Sequence, residues 1–170
     1  VKHFAANSQE TNRFTVDARV DERTLREIYL TNFEIAIKEG RPWSLMGAYN
    51  RLNGEHCCGN KWLLADVLRD DWGFDGIVIS DWSGVWDRVK SIEAGLDLQM
   101  PYCGDDYIKA VIEAVENGSL DEEVLDETVR RILKIANKAV AGRSVPVSCD
   151  YEAHHVLAPR AAGESAVLLR

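Results

Sequence analysis

The feature that most constrains the fold is a short β-branched run, Gly76-Ile77-Val78-Ile79-Ser80-Asp81-Trp82. Consecutive Ile and Val residues without polar alternation predict a strand that is buried on both faces, as in a parallel sheet. Asp81 falls where this strand ends, and helix-like sequence follows from Val85 to Ala94. Because ligands of strand–helix sheets bind outside the carboxyl ends of the strands, a carboxylate here favours a chemical role. The alternative is that Asp81 caps the following helix through backbone N–H groups.

The rest of the chain repeats the order of strand followed by helix. Strands are predicted at residues 1–4, 43–48, 76–80 and 96–100, and helices at 21–39, 61–71, 85–94, 105–117 and 121–140. A polar loop at 5–18 and an Asn53-Gly54 turn lie between them, and a linker at 141–150 precedes a final helical stretch, 152–170, interrupted at Pro159. This alternation predicts an α/β fold with a parallel sheet. Four strands cannot close an eight-stranded barrel, so we expect this chain to form part of a larger barrel.

Composition excludes several classes of function. A net charge of -8 with scattered Lys and Arg residues disfavours a nucleic-acid partner, and no apolar run approaches the roughly 20 residues of a membrane span. Cys57, Cys58, Cys103 and Cys149 show no zinc spacing, so we predict reduced thiols, no metal and no cofactor. Unpaired thiols favour a reducing, cytoplasmic compartment. The start at Val1, without an initiator Met, favours the interior of a longer protein.

Side chains at the strand ends suit a polar ligand. Lys2 and His3 lie at the first end, Tyr49 and Asn50 follow the second, and Asp81 and Trp82 follow the third. Hydrogen-bond donors, an aromatic face and one carboxylate together suit a sugar, and Arg13 in the polar loop adds a fixed fork of donors. Taken singly, Lys2 and His3 could be a surface pair, Tyr49 a core residue, and Arg13 part of a loop salt bridge. Because these side chains are expected at the same edge of one sheet, together they predict a carbohydrate-binding site.

Several ordered motifs resemble those of glycoside hydrolase family 3 β-glucosidases. The resemblance runs from Val1 to about Val140 and resumes near the carboxyl terminus. It rests on Lys2-His3-Phe4-Ala5-Ala6-Asn7, Gln9-Glu10-Thr11-Asn12-Arg13, Met46-x-x-Tyr49-Asn50, Asn53-Gly54, Ser80-Asp81-Trp82, Gly95-x-Asp97-x-x-Met100-Pro101 and Ala161-Ala162-x-Glu164-Ser165-x-Val167-Leu168-Leu169.

The resemblance implies a retaining β-glucosidase that acts on terminal non-reducing β-D-glucosyl residues of β-glucosides or cello-oligosaccharides. Asp81 would be the nucleophile. Lys2, His3 and Arg13 would hold sugar hydroxyls, and Met46, Tyr49 and Trp82 would shape the subsite. A nucleophilic carboxylate must stay ionised, which nearby Lys2 and Arg13 would favour. Retention also needs a second carboxyl roughly 5–5.5 Å away.

The resemblance also implies how the chain is organised. Residues 1–140 would be the carboxyl-terminal half of a (β/α)8 TIM-type barrel, about its last four βα units, and 141–170 a linker and the start of a second α/β domain. None of Glu10, Glu55 and Glu93 matches the family's acid/base. The earlier barrel strands and the acid/base domain would therefore be further segments of the same enzyme that act as partners of this chain. A homo-oligomer is compatible with this organisation.

Four alternatives remain at this stage. One is a β-xylosidase or another exo-β-glycosidase of the same family. The family's single-domain β-N-acetylglucosaminidases are disfavoured because Ala5-Ala6-Asn7 replaces their Pro-Gly and their downstream Asp-Ser-His is missing. A phosphoacceptor receiver domain would need an acidic pair after the first strand, whereas Asp70-Asp71 ends a helix. The fourth alternative is a non-catalytic sugar-binding relic, for which Asp81 would be unnecessary.

Overall fold

The structure, a computed structural model, describes residues 1–143 and 148–169 of the chain. It divides into two compact units, Val1–Lys138 and Ala139–Arg170. Part of the predicted linker, residues 144–147, and Arg170 at the end of the last predicted helical stretch lie outside the described residues. Within the described ranges, every helix is too short or too polar to span a lipid bilayer.

The first unit is built on a parallel sheet whose order follows the chain. Strand β2 (Ser44–Met46) pairs in parallel with β5 (Ile77–Ile79), with Ser44 opposite Ile77 and Met46 opposite Ile79. Single parallel bridges extend the sheet on both sides, from Phe4 to Gly47 and from Ile79 to Leu98. The predicted strands at 1–4 and 96–100 are therefore single bridges rather than full strands. The predicted parallel α/β arrangement is confirmed.

A second sheet, of three two-residue strands, was not predicted. It orders β1 (Asp17–Ala18), β3 (Arg51–Leu52) and β4 (Glu55–His56) side by side, with β1 parallel to β3 and β3 antiparallel to β4. Asn53 and Gly54 have φ values of 51° and 98°, as the tight turn of a two-residue hairpin requires. The loop predicted at 5–18 therefore ends in a strand, and the predicted turn joins two strands.

The helices follow the predicted apolar spacing, with differences at their ends. Their bounds are α1 (Glu22–Thr24), a π-helical segment (Leu25–Tyr29), α2 (Thr31–Lys38), a second π-helical segment (Trp62–Asp71), α3 (Arg88–Ala94), α4 (Asp105–Glu116), α5 (Glu122–Gly142) and, in the second unit, α6 (Tyr151–Ser165). Helix α3 begins three residues later than predicted, because Val85 is buried in the core and Asp87 caps the helix by accepting from the Lys90 N–H at 3.0 Å. The predicted interruption at Pro159 is also wrong, since α6 continues through it.

The core lies between the parallel sheet and the helices that follow its strands. Phe4 is fully buried and packs against Phe33 and Trp72, with ring centroids 5.0 Å and 5.8 Å apart. Phe4 lies directly after His3, so this packing fixes the backbone from which the His3 side chain projects. The core therefore holds one strand end of the predicted site in place.

A buried ionic cluster ties the sheet to two helices. The Asp97 carboxylate is fully buried and accepts from Arg69 Nη2 at 2.8 Å, Arg131 Nε at 2.7 Å and the backbone N–H of Val78 at 2.7 Å. Arg69 also donates to the carbonyl of Gly95 at 3.1 Å. Because Val78 belongs to β5, the cluster anchors the strand that leads to Asp81.

Candidate active site

Asp81 lies directly after β5, at the carboxyl end of the parallel sheet. The preceding residue, Ser80, is fully buried, and its Oγ accepts from the Met100 N–H at 2.8 Å and donates to the Met100 carbonyl at 3.2 Å. The backbone then turns sharply. Ser83 donates its N–H to Met100 at 3.1 Å and has a φ of 64°, and Gly84 donates its N–H to the Asp81 carbonyl at 3.0 Å. Asp81 is therefore held in a rigid turn rather than in a loose loop.

The Asp81 carboxylate is oriented through both of its oxygens. Oδ1 accepts the backbone N–H of Trp82 at 2.7 Å, and Oδ2 lies 3.3 Å from His3 Nε2. The Asp81 side chain is 15% exposed, so one approach to the carboxylate stays open to a ligand. Helix α3 is capped by Asp87, six residues further on, so the capping alternative for Asp81 is wrong.

Tyr49 covers another side of Asp81. It is buried, and burial first, then the adjacent Asp81 carboxylate, raises the pKa of the Tyr49 phenol above its usual value. The phenol therefore stays protonated at neutral pH and available as a hydrogen-bond donor. The Phe14 ring packs on Tyr49 with centroids 4.4 Å apart, and the Arg13 guanidinium lies 5.0 Å from the Tyr49 centroid.

The predicted site residues thus fall into two groups. His3, Tyr49 and Asp81 come together, and Arg13 reaches them through its contact with the Tyr49 ring. Arg13 forms an ion pair with Glu10 at 3.1 Å, and Lys2 is exposed. Among the described residues, the polar partners of the Asp81 side chain are His3, the Trp82 N–H and the adjacent Tyr49 phenol, and the expected role of Lys2 and Arg13 beside the carboxylate stays a prediction. Met46 and Trp82 flank this group, half-buried at the end of β2 and 51% exposed, respectively.

Three residues that shape the site have a role that the sequence did not predict. Ser80 occurs in one of the sequence motifs, and its hydrogen bonds to Met100 stabilise the turn that holds Asp81. Phe14, the single aromatic residue in a polar loop, could have been recognised from that contrast. Asn50 is fully buried and donates through Nδ2 to the carbonyls of Ala5 at 3.2 Å and Arg51 at 3.0 Å, which holds the backbone after His3 and Phe4. No local pattern distinguishes that task from ligand binding.

The two cysteine thiols near the site have low reactivity at neutral pH. Burial raises the pKa of both Cys57 and Cys58 to about 12, so both stay protonated at neutral pH. Cys58 packs beneath the site, where its Sγ would lie 2.7 Å from any Cβ added at Gly47. In residues 1–143 and 148–169, no group of three or more His, Cys, Asp and Glu side chains is arranged to hold a metal ion.

Comparisons with known proteins agree with this arrangement. The model of the glycosyl hydrolase family 3 N terminal domain matches residues 1–135. Thermostable beta-glucosidase B of Acetivibrio thermocellus is 52% identical over 170 residues, and an exo-alpha-(1->6)-L-arabinopyranosidase of Bifidobacterium longum is 47% identical over 173 residues. Each alignment covers 100% of this chain, and the chain spans 22% of the length of either relative.

Solved structures show the same relationship. The GH3 beta-glucosidase of Bifidobacterium adolescentis superposes with a TM-score of 0.89 and 44% identity, over 99% of this chain and 25% of that one. Beta-glucosidase 3B of Thermotoga neapolitana, in complex with glucose, superposes with a TM-score of 0.76 and 54% identity, over 78% of this chain and 20% of that one. With a family match over most of its length and relatives of this identity over all of it, the chain belongs to glycosyl hydrolase family 3.

Proposed function

We propose that this chain carries the nucleophile half of a retaining β-glucosidase, which removes terminal non-reducing β-D-glucosyl residues from β-glucosides or cello-oligosaccharides. The observation that carries the proposal is the setting of Asp81. Its carboxylate follows a buried parallel strand, is oriented by the Trp82 N–H and His3, and keeps one open approach. A rigidly held, partly open carboxylate is what nucleophilic catalysis at a sugar carbon requires.

The reaction would proceed in two displacements. One Asp81 oxygen attacks the anomeric carbon while the bond to the leaving group breaks, and a carboxylic acid protonates the departing oxygen. Water then attacks the same carbon, its proton passes to that second carboxylate, and Asp81 leaves in its ionised form. Because each step inverts the anomeric centre, the product keeps the β configuration.

The surrounding residues would bind the sugar. His3 and the protonated Tyr49 can donate to a ligand next to Asp81, and Lys2 and Arg13 offer cationic donors at the edge. Met46 and Trp82 would form the apolar wall. The Arg13 ion pair with Glu10 would have to open for a direct contact with a hydroxyl group.

We also propose that the chain acts together with further polypeptide. Residues 1–140 would form the carboxyl-terminal half of a (β/α)8 barrel, and 141–170 a linker and the start of a second α/β domain. The parallel sheet supports the barrel, because its segments follow chain order and both outer segments pair on one side only. The second carboxyl would come from outside this chain, since none of Glu10, Glu55 and Glu93 matches the family's acid/base.

An exo-α-L-arabinopyranosidase is the second candidate. It is favoured by two Bifidobacterium relatives with that name, at 47% and 46% identity. Aryl β-D-glucoside, β-D-xyloside and α-L-arabinopyranoside, compared at equal concentration, separate these specificities. The proposal expects the highest kcat/KM for the glucoside. The receiver alternative has no support, because membership of a glycoside hydrolase family accounts for the Asp81 motif.

Covalent trapping tests the role of Asp81 in the polypeptide as encoded in full. An activated 2-deoxy-2-fluoro-β-glucoside should inactivate the protein and leave one fluoroglucosyl group on the peptide that contains Asp81. Asp81→Asn should lose at least about a thousandfold in kcat and show no adduct, because the amide is a far poorer nucleophile. Asp106→Asn is the matched control, since the Asp106 side chain is 97% exposed. An adduct elsewhere, or hydrolysis without any adduct, would refute Asp81 as the nucleophile. Neither hydrolysis nor an adduct would favour the non-catalytic sugar-binding relic.

A further inference from the structure

Tyr49 lies against the turn that holds Asp81. A Cβ added at Gly84 would lie 3.4 Å from the Tyr49 ring and 3.2 Å from the Asp81 carbonyl oxygen, so the ring contacts the backbone of this turn directly. The Tyr49 phenol is adjacent to the Asp81 carboxylate, and Tyr49 is only 6% exposed. The hydrogen-bond donor that Tyr49 offers to Asp81 therefore depends on the contacts that keep the ring in this position.

Phe14 covers the Tyr49 ring from the polar loop. The planes of the two rings are inclined at 46°, and their centroids are 4.4 Å apart. Phe14 is 41% exposed whereas Tyr49 is buried, so the outer ring shields the inner one from water. Tilted aromatic pairs at this separation stabilise one another beyond the apolar area that they bury. The Phe14 contact is thus suited to hold Tyr49 in place.

The loop that carries Phe14 is anchored to the segment that carries Tyr49. Asn12 has a φ of 56°, and its carbonyl accepts the Val16 N–H at 2.8 Å. The Val16 carbonyl accepts the Arg51 N–H at 2.9 Å, which extends the parallel pairing of β1 with β3. Because Phe14 closely precedes Val16 and Tyr49 closely precedes Arg51, this pairing brings the two rings side by side. The second sheet therefore fixes the Phe14 contact.

Arg13 closes over the same pair of rings. Its guanidinium lies 5.2 Å from the Phe14 centroid and 5.0 Å from the Tyr49 centroid. Glu10 holds that guanidinium through an ion pair at 3.1 Å. The cover over Tyr49 is thus one aromatic ring and one cation, both supplied by the loop.

The protonation of Tyr49 reports on this cover. Burial is the largest cause that raises the pKa of the Tyr49 phenol, followed by the Asp81 carboxylate. Of the other charged or titratable groups near the phenol, Arg13 acts in the opposite direction and Cys58 in the same one. Loss of cover would therefore move the pKa of Tyr49 down, towards the ordinary value of a tyrosine.

We propose that Phe14 is a positioning residue, which holds the Tyr49 ring against the turn after β5 and so keeps the phenol beside Asp81 as a hydrogen-bond donor. Its consequence for catalysis rests on the proposed function. In the first displacement negative charge leaves Asp81 as the bond to the sugar forms, and in the second it returns as that bond breaks. A donor beside the carboxylate therefore stabilises the second transition state more than the intermediate before it.

The titration of Tyr49 tests the positioning without any catalysis. With 3-fluorotyrosine incorporated into the polypeptide as encoded in full, fluorine NMR follows the tyrosines against pH, and Tyr49→Phe identifies the Tyr49 resonance by its loss. Phe14→Ala should lower the pKa of Tyr49, because water reaches the ring. Phe14→Leu, which keeps an apolar cover, should retain most of the wild-type value. Trp43→Ala is the matched control, since Trp43 is also exposed, at 51%, but precedes β2, and it should leave Tyr49 unchanged.

Two rates measure the consequence at Asp81. Inactivation by the activated 2-deoxy-2-fluoro-β-glucoside reports the first displacement, and hydrolysis of the resulting adduct reports the second. Phe14→Ala should slow hydrolysis of the adduct about tenfold, the effect of losing about one hydrogen bond to a charged group, and should change inactivation by less than about threefold. In a Tyr49→Phe background, the same substitution should change hydrolysis by less than about twofold, because the phenol is already absent.

The outcomes separate positioning from a general structural effect. An unchanged pKa of Tyr49 in Phe14→Ala, equal slowing of both displacements, or a full effect of Phe14→Ala in the Tyr49→Phe background would each overturn the role of Phe14. If the wild-type protein forms no adduct but Phe14→Ala lowers the pKa of Tyr49, the positioning of Tyr49 by Phe14 stands and the proposed activity fails.

Discussion

Removal of the Asp97 carboxylate should be among the most destabilising single changes in this chain. Asp97→Ala leaves Arg69 and Arg131, each only 15% exposed, without their counter-charge, and leaves the Val78 N–H without its acceptor. Breaking a buried ion pair by removing one partner costs about 3–5 kcal/mol in free energy of unfolding. For a folding unit of about 150–250 residues, that corresponds to a fall in Tm of roughly 6–20 °C.

A surface ion pair on the same helix provides the control. Asp75 Oδ2 lies 2.6 Å from Lys134 Nζ, and the Asp75 side chain is 71% exposed. Lys134 and Arg131 both belong to α5, so Asp75→Ala removes a carboxylate with similar geometry but without the burial. We expect its effect to stay below about 1 kcal/mol, since water solvates the cation that remains.

Urea and thermal unfolding, followed by tryptophan fluorescence on wild type and both variants, measure the difference. Asp97→Asn, which keeps the shape and one acceptor but not the charge, should fall between them. If Asp97→Ala and Asp75→Ala differ by less than about 1 kcal/mol, burial does not set the cost and the reasoning is refuted.

Three further predictions follow from buried polar groups. Because burial raises the pKa of Cys57 and Cys58 to about 12, a thiol reagent at pH 8 should label exposed Cys149 rapidly and the buried pair only after unfolding. Burial lowers the pKa of His56, so stability should be complete above the unfolded value of about 6.5 and fall as pH drops below it; His56→Phe should flatten that part of a urea-midpoint profile against pH. Ser80→Ala should lower the free energy of unfolding by about 1–3 kcal/mol in the same assay, because the Met100 N–H loses its partner.

Sequence reasoning predicted most of the fold because the determining interactions are local. Apolar residues at helical spacing predicted α2, α4 and α5, and the β-branched run predicted β5. The predictions fail where contacts with residues distant in the sequence determine the local structure. Residues 17–18 form a strand only because β3 lies beside them, and the start of α3 depends on whether Val85 enters the core. No local pattern contains those partners.

The candidate site divides in the same way. Lys2, His3, Arg13, Tyr49 and Asp81 were selected because parallel strands bring their carboxyl ends to one edge, and the structure does bring His3, Tyr49 and Asp81 together. The expected role of Lys2 and Arg13 as the charges beside Asp81 stays a prediction, since sequence position does not tell which way a loop side chain turns. Arg13 contacts Glu10 and two aromatic rings. The catalytic and binding roles themselves stay predictions.

The order of the elements, the parallel sheet, the family and the carboxylate at the carboxyl edge of the sheet could all be predicted, because periodicity and ordered motifs are properties of neighbours in the chain. The groups that contact that carboxylate, the burial of Asp97 and the stacking of Trp86 on His56 became known from the folded structure. Those contacts join residues up to 78 positions apart, as between His3 and Asp81, and arise only when the helices pack on the sheet. Burial then sets the pKa of His56, Tyr49 and the two buried thiols, because desolvation exists only in the folded chain.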